Sequence, residues 1–239
     1  LHQGKAIYGV GGGITWDSTW ESEYREVHQK AAVLYRKQTR FQLITTGKIS
    51  QKQLLFEEQH LERLKKASRY FAYPFNPENL RQKIEKECQV CDVNQDYRLR
   101  VTLSKSGEIE LSRQILAPLS PSFCKAKLCL QEADLNQSFT YFKTTHRPHL
   151  SLGEQEKIYH NAAGGLLETS IGNLVLKIAG KLYTPPTSLG ILPGIYRQHL
   201  LETGQVKEKI MTLEDLNQAE AIYGCSAVRG LYELEVNSK

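Results

Sequence analysis

Two short motifs have residue types and spacing that could support metal, redox or phosphate chemistry. Cys88 and Cys91 form a C-x-x-C pair, and the segment 9–18, GVGGGITWDS, is rich in glycine. A structural zinc ion needs four ligands, and no second C-x-x-C or H-x-x-x-H follows the cysteine pair. A phosphate-binding loop needs Gly-Lys-Ser or Gly-Lys-Thr after its glycines, which this segment lacks. We therefore predict no metal site, and we interpret the glycines as a turn that leads into a strand.

The composition is that of an ordinary globular protein with a slight excess of positive charge. The 239 residues include 31 lysines and arginines against 26 aspartates and glutamates, which gives a net charge of +5. These charges never form a run of about five or six like residues, so the basic stripe of a nucleic-acid reader is missing. The five cysteines are an odd number, and no apolar stretch approaches the roughly 18 residues of a membrane span. We predict a reduced, cytoplasmic protein that contacts neither nucleic acid nor a membrane.

Hydrophobic periodicity and turn residues predict a chain of mixed helices and strands. Apolar residues at three- and four-residue spacing indicate a helix over 54–74. Asn76, followed by Pro77, indicates the start of a second helix. Alternating residues on either side of the Lys-Ser-Gly turn at 105–107 predict a hairpin, whereas 149–162, HLSLGEQEKIYHNA, is predicted to be a helix. Because strands and helices do not alternate strictly, we predict the α+β class.

Three separated segments carry a resemblance to a known family. They are HLERL at 60–64, FKTTHR at 142–147 and LLETSIGNLVLKIAGKLYTPPTSLGILPGIYRQHLL at 166–201. Their order and spacing resemble the pyridoxal-phosphate (PLP) enzymes of fold type IV. That group includes branched-chain aminotransferases, D-amino-acid aminotransferases and aminodeoxychorismate lyases. The resemblance implies a D-amino-acid aminotransferase-like α+β fold, with a small subdomain over 41–119 and a larger PLP-binding subdomain over 120–239.

The resemblance also implies a site for pyridoxal 5'-phosphate, although Lys143 by itself has the pattern of an ordinary surface lysine. Lys143 matches the family lysine that bonds to the cofactor aldehyde and later moves protons, chemistry that needs an amine. Glu168 matches the carboxylate that faces the pyridine nitrogen, and Arg63 matches the arginine that holds the phosphate. The other cofactor contacts that the resemblance implies are helix-start backbone groups and polar side chains: Asn173, Gly194, Ile195, Tyr196 and Ser226.

The residues implied to contact the substrate match the family less closely. Thr45 and Thr46 stand where many fused relatives have Glu-Thr, and a hydroxyl there could protonate a leaving group. Leu150 replaces a tyrosine, and His146 replaces an asparagine, that are common in the family. The candidates for binding the substrate carboxylates are Arg147, Arg197 and Arg229.

The segment 6–31, AIYGVGGGITWDSTWESEYREVHQKA, resembles a different family. It is similar to the end of the chorismate-binding domain of aminodeoxychorismate and anthranilate synthases. Ser18 is predicted to cap a helix that runs to about Tyr35, with Glu21 completing a capping box. We interpret 1–38 as a remnant of such a domain and the chain as the tail of a longer fusion protein.

This pairing of resemblances predicts a function, because a fused second domain would consume the product of the first. The prediction is a homodimeric 4-amino-4-deoxychorismate lyase, which releases pyruvate and p-aminobenzoate for folate biosynthesis. Its partners would be the small-molecule substrate, a second copy of the chain and the chorismate-binding domain of the same longer chain. Two alternatives remain open: a branched-chain or D-amino-acid aminotransferase, and a non-catalytic domain that serves dimerisation.

Overall fold

The chain divides into two compact units, Leu1–Arg40 and Phe41–Lys239. The computed structural model describes residues 7–35, 39–131, 137–151 and 153–236. Within these ranges, no helix is long and apolar enough to cross a membrane.

The first unit contains an irregular glycine-rich segment and one helix, α1 (Trp20–Tyr35). The helix begins one residue later than predicted, because the hydroxyl of Thr19, rather than that of Ser18, accepts the Ser22 amide (3.3 Å). The Ser18 hydroxyl instead donates to the Glu23 carboxylate (2.7 Å). Residues 7–19 form no strand, so the prediction that the glycines lead into one is wrong.

The second unit begins with a four-stranded antiparallel sheet and two helices. In chain order these elements are β1 (Leu43–Ser50), β2 (Gln53–Leu54), α2 (Glu57–Phe71), α3 (Pro77–Gln89), β3 (Tyr97–Leu103) and β4 (Ile109–Ile115). The strands lie in the order β2-β1-β3-β4. The predicted start of α3 is confirmed, since the Asn76 side chain accepts the amides of Glu78 and Asn79. The predicted hairpin is confirmed as the antiparallel pair β3–β4.

Alternation along the strands gives this first sheet two different faces. Thr46 on β1 lies directly opposite Arg100 on β3, and Lys48 lies opposite Arg98. These residues therefore share the face that points away from α2 and α3. The face toward the two helices is apolar and contributes Leu43, Ile49, Leu99, Val101 and Leu103 to a buried core.

The rest of the second unit forms an eight-stranded sheet that closes on itself. Its elements are α4 (Pro121–Cys124), β5 (Lys125–Leu130), α5 (Gln137–Tyr141), β6 (Lys157–His160), β7 (Leu166–Thr169), β8 (Asn173–Ile178), β9 (Lys181–Thr184), α6 (Ile195–Glu202), β10 (Val206–Glu208), α7 (Leu213–Gln218), β11 (Ala221–Ser226) and β12 (Gly230–Val236). The strand order is β10-β9-β8-β11-β12-β5-β6-β7, and β7 also pairs with β8 through Glu168 and Asn173. The six strands that follow one another in this order from β8 to β7 therefore form a small closed barrel. The predicted α+β class is confirmed.

The helix predicted over 149–162 is wrong. The end of this segment is β6, which pairs with β5 and β7 in the barrel. Ile158 and Tyr159 are buried there, and a β-branched residue next to an aromatic one suits a strand. The sheet pairing on both sides therefore overrides the local pattern.

A buried carboxylate ties the barrel to the turn that follows β7. Glu156 is fully buried and accepts hydrogen bonds from the hydroxyls of Ser170 and Tyr232. A carboxylate removed from water is costly unless it is hydrogen-bonded, so these two contacts constrain both partners. The turn around Ser170 is therefore held from inside the barrel.

The barrel has no room for a side chain at Gly224, which gives a first prediction. A Cβ atom there would lie 2.3 Å from the ring of Tyr232, whose hydroxyl is already held by Glu156 (3.0 Å). We expect Gly224→Ala to lower the free energy of unfolding by about 1–3 kcal/mol, the usual cost of overpacking. Urea denaturation would measure it, with Gly153→Ala as the control, because the added Cβ there comes no closer than 3.9 Å to another atom. Equal stability of the two variants would contradict the prediction.

Candidate active site

A cavity of about 470 Å³ lies between the two sheets of the second unit. Its wall is built from β1, β3, the segment after α5, β7, the start of β8, the start of α6 and the loop after β11. The structure brings most of the predicted site residues into this wall: Thr46, Arg63, Lys143, Arg147, Glu168, Asn173, Gly194, Ile195, Ser226 and Arg229. Thr45, Tyr196 and Arg197 do not line it.

Lys143 lies on a segment that is tied to the edge of the first sheet. The Ile44 amide donates to the Lys143 carbonyl (2.9 Å), so the lysine backbone is fixed against β1. Burial lowers the pKa of Lys143 well below its usual value, and the neighbouring cations Arg63 and Arg147 lower it further. A lower pKa increases the fraction of neutral amine, which is the form that attacks a carbonyl carbon.

Glu168 on β7 is a buried carboxylate with incomplete pairing. Its Oε2 lies 3.6 Å from Nη2 of Arg147, and its Oε1 lies 3.9 Å from Nε2 of His149. Burial raises the pKa of Glu168 to about 7, although Arg147 and a hydrogen bond from the Leu192 amide oppose the rise. Burial also lowers the pKa of His149 to about 4, so His149 is neutral near pH 7. Among the described residues, Oε1 of Glu168 has no hydrogen-bond partner, which leaves it available to a ligand.

The start of α6 has the features of an anion site. Its N-cap residue, Gly194, provides no side-chain cap, so the first amides of the helix can face a bound anion. Arg63 donates from Nη2 to the Pro193 carbonyl (2.8 Å), which holds its guanidinium beside this helix start. A Cβ atom at Gly194 would lie 1.8 Å from Oδ1 of Asn173. Asn173 in turn donates to the Leu192 carbonyl (2.8 Å), so the loop before α6 is locked in position.

The two adjacent threonines of β1 face opposite sides of the first sheet. Thr46 lines the cavity. Thr45 is buried on the other side, where its hydroxyl lies 2.6 Å from Nδ1 of His60. Neighbouring residues of a strand must point in opposite directions. The structure therefore brings Thr46, and not Thr45, to the site.

Two side chains in the first turn of α6 also point away from the cavity, although the prediction for Tyr196 concerned its backbone amide and not its ring. The ring of Tyr196 packs edge-on against that of Phe56, with the ring centroids 6.0 Å apart. Arg197 is 2% exposed and pairs with the Glu208 carboxylate. Arg197 is therefore already neutralised within the fold and does not reach a substrate in the cavity.

Arg98 and Arg100 line the cavity and were missed in the sequence. The signal that could have found them is the alternation of β3. Leu99 and Val101 point into the core, so the arginines between and before them must lie on the opposite face. The family motifs do not include this strand, which is why the resemblance did not select it.

The C-x-x-C pair lies away from the cavity. Cys88 and Cys91 are free thiols buried in the apolar core of the first sheet. Burial raises the pKa of Cys88 to about 11, which disfavours the thiolate that metal binding and redox exchange require. Within the described ranges, no group of three or more histidine, cysteine or acidic side chains could hold a metal ion.

Comparison with known proteins identifies the second unit by its family. The sequence profile of amino-transferase class IV matches residues 42–234. The chain belongs to this family. A second profile, that of the chorismate binding enzymes, matches residues 1–36. Class IV aminotransferase family members are PLP-dependent enzymes.

Individual relatives cover most of the second unit. An uncharacterised Haemophilus influenzae protein is 28% identical over 137 residues, which are 57% of this chain and 67% of that protein. A provisionally named amino-acid aminotransferase from Mesorhizobium loti is 25% identical with a TM-score of 0.72, over 82% of this chain and 100% of that one. A provisionally named 4-amino-4-deoxychorismate lyase from Legionella pneumophila is 20% identical with a TM-score of 0.64, over 82% of each chain. The PLP-bound form of a hypothetical Mycobacterium tuberculosis aminotransferase is 16% identical with a TM-score of 0.69, over 82% of this chain and 81% of that one. The last two likenesses show the fold alone.

The raised pKa of Glu168 predicts a pH-dependent stability. The folded chain binds this proton more tightly than the unfolded chain, whose glutamate has a pKa of 4.5. The resulting stabilisation is complete below pH 4.5 and is lost as the pH rises through about 7. Glu168→Gln cannot ionise, so the variant should gain roughly 3 kcal/mol relative to the wild type across this interval. Urea denaturation of the cofactor-free proteins at several pH values would measure the difference, and a difference that does not change with pH would contradict the prediction.

Proposed function

We propose that residues 41–239 form a PLP-dependent 4-amino-4-deoxychorismate lyase that releases pyruvate and p-aminobenzoate for folate biosynthesis. The observation that carries the proposal is the chorismate-binding match over residues 1–36 in the same chain as a class IV aminotransferase domain. A synthase domain that makes aminodeoxychorismate is usefully followed by a domain that consumes it. The cationic cavity suits this substrate, because aminodeoxychorismate carries two carboxylates.

The cavity residues fit PLP at three of its functional groups, the aldehyde, the pyridine nitrogen and the phosphate. The amine of Lys143, with its lowered pKa, suits the aldehyde. Oε1 of Glu168, which has no partner among the described residues, suits the protonated pyridine nitrogen. The uncapped helix start at Gly194, with Arg63 beside it, suits the phosphate. When bound, PLP withdraws electrons from the substrate carbon that carries the amine.

Lys143 and Glu168 would carry the proton transfers on the cofactor side. With the substrate held by its amine on the cofactor, the Lys143 amine would be free to take the proton from the amine-bearing ring carbon. Glu168 keeps a proton on the pyridine nitrogen, because a buried carboxylate gains a favourable partner when a cation faces it. Arg147, 3.6 Å from Glu168, limits how far that carboxylate can move.

Thr46 would act on the leaving group. Removal of the ring proton is followed by cleavage of the bond between the neighbouring ring carbon and the enolpyruvyl oxygen, and the ring becomes aromatic. The departing oxygen would take a proton from the Thr46 hydroxyl, and the resulting enol becomes pyruvate. The Lys143 ammonium, which holds the proton taken from the ring carbon, would return a proton to Thr46, so that Lys143 is again a neutral amine when p-aminobenzoate leaves.

A second candidate function is amino-acid transamination. It is favoured by the Mesorhizobium loti likeness and by Leu150, which lines the cavity at the position where relatives often have tyrosine. An aminotransferase would convert the cofactor to its amine form when given an amino acid alone. A non-catalytic dimerisation domain is the third candidate, and it would bind no PLP. By resemblance to the family, we also propose that the chain forms a homodimer, which sedimentation of the PLP-loaded protein would report.

The lyase proposal is tested by giving the PLP-loaded full chain freshly prepared aminodeoxychorismate. We expect pyruvate and p-aminobenzoate to appear in equal amounts, and Lys143→Ala to abolish both because it removes the proton-carrying amine. Circular dichroism of the variant would confirm that it remains folded. If neither product forms from wild-type protein that retains its PLP absorbance, the lyase proposal is wrong, and amino acids are the next substrates to offer.

The role of Thr46 gives a further prediction. Thr46→Val keeps the shape but removes the hydroxyl, so we expect kcat for product release to fall about 100-fold, the typical contribution of a general acid. Thr102→Val is the matched control, because Thr102 lies on the same sheet face two cross-strand pairs away, opposite Ile44, and does not line the cavity. Similar kcat values for both variants and the wild type would remove Thr46 from the mechanism.

A further inference from the structure

Three arginines from two different parts of the fold line one region of the cavity. Arg98 and Arg100 stand on β3, and Arg229 stands on the turn between β11 and β12. Burial lowers the pKa of both Arg100 and Arg229, and the positive charge of Arg98 lowers each of them further. Arg98 is therefore close enough to each of the other two guanidinium groups to repel it.

The backbone around the three arginines is fixed. Arg100 is paired across the sheet with Thr46, and Arg98 with Lys48. Arg229 is held at both ends: its amide donates to the Ser226 hydroxyl (3.2 Å) and its guanidinium donates to the Ala117 carbonyl. All three side chains are half-buried. The cluster is thus built into two strand pairs and does not arise from flexible surface side chains.

The cluster lacks the counter-charges found around other arginines of the fold. Carboxylate partners are present for Arg81, Arg113, Arg147 and Arg197. In the part of the chain that the structure describes, no ion pair involves Arg98, Arg100 or Arg229. Nearby, Lys48 has its own partner in Asp96 (3.2 Å). Like charges held together at a half-buried wall are unfavourable unless an anion joins them.

We propose that Arg98, Arg100 and Arg229 form a subsite for the substrate, which selects amines that carry two carboxylates. The subsite binds these carboxylates at a distance from the reacting amine. This inference rests on the proposed function and adds the residues that decide its substrate class.

The charges of the cavity support two carboxylates rather than one. The basic side chains in the wall are Arg63, Arg98, Arg100, Lys143, Arg147 and Arg229, and the acidic one is Glu168. Arg147 offsets Glu168, Arg63 lies at the helix start that suits the cofactor phosphate, and Lys143 is the reacting amine. The three remaining positive charges match a dianion, and guanidinium groups bind carboxylates through paired hydrogen bonds.

The test uses chorismate, which has both carboxylates of aminodeoxychorismate but a hydroxyl in place of the amine, so it cannot react with PLP. Calorimetry would measure its binding to the PLP-loaded full chain. We expect Arg98→Gln, Arg100→Gln and Arg229→Gln each to weaken binding by about 10- to 100-fold, because each removes a charged hydrogen bond. Arg69→Gln is the matched control, since Arg69 is exposed and lies outside the cavity wall, and it should leave binding unchanged.

Folding and site specificity are checked on the same variants. Losing one of three repelling charges should leave the melting temperature of the chorismate-free protein equal or higher, so weaker binding would not reflect unfolding. Chorismate bound by the first unit would be insensitive to these substitutions. Wild-type protein that fails to bind chorismate, or wild-type affinity in all three variants, would overturn the proposal.

The lyase assay separates this inference from the proposed function. Arginine-dependent chorismate binding without pyruvate release would leave the dicarboxylate subsite standing and reject the lyase. If pyruvate is released but the three arginine substitutions leave the chorismate affinity unchanged, the lyase proposal stands and the subsite is rejected.

Discussion

The site depends on one electrostatic constraint, which is that a cavity wall rich in cations contains a single described carboxylate, Glu168. Burial pushes this group toward its neutral form, and Arg147 pulls it toward its charged form. In the described part of the chain, Oε1 of Glu168 has no hydrogen-bond partner. Burial lowers the pKa of Lys143, and the same excess of positive charge lowers it further. The charge of the wall therefore favours negatively charged ligands.

The two sheets supply different parts of the site. The barrel and α6 provide Glu168, Asn173 and the helix start at Gly194, which belong to the cofactor end in our proposal. The first sheet provides Thr46 and Arg98, which face the cavity because their strand neighbours point to the opposite face, under the helices. The division follows from packing, since a sheet that buries one face under helices has only its other face to offer. Substitutions at Thr46 or Arg98 can thus change substrate choice while the barrel residues of the cofactor end are kept. Arg229 is the contribution of the barrel to the proposed substrate end.

Sequence reasoning succeeded where the signal is local and failed where it depends on pairing. The cap at Asn76 and the α+β class were predictable, because helix capping and hydrophobic periodicity depend only on residues that are close in the sequence. The segment 149–162 was misjudged, because its strand exists only through partners on both sides. Most of the residues that the family motifs selected line the cavity. They could not separate Thr46 from Thr45, although strand alternation, applied to both β1 and β3, would have done so.

The contact between Gly194 and Asn173 has an evolutionary consequence. With only 1.8 Å between a Cβ at one position and the amide oxygen at the other, no side chain can be accepted at 194 while asparagine occupies 173. A smaller residue at 173 would free the space but release the Leu192 carbonyl that Asn173 now binds. A side chain at 194 therefore requires that Asn173 be replaced first, whereas Asn173 can be replaced while glycine remains at 194. Among sequences descending from a common ancestor, a residue other than glycine at 194 should be found only where 173 is not asparagine.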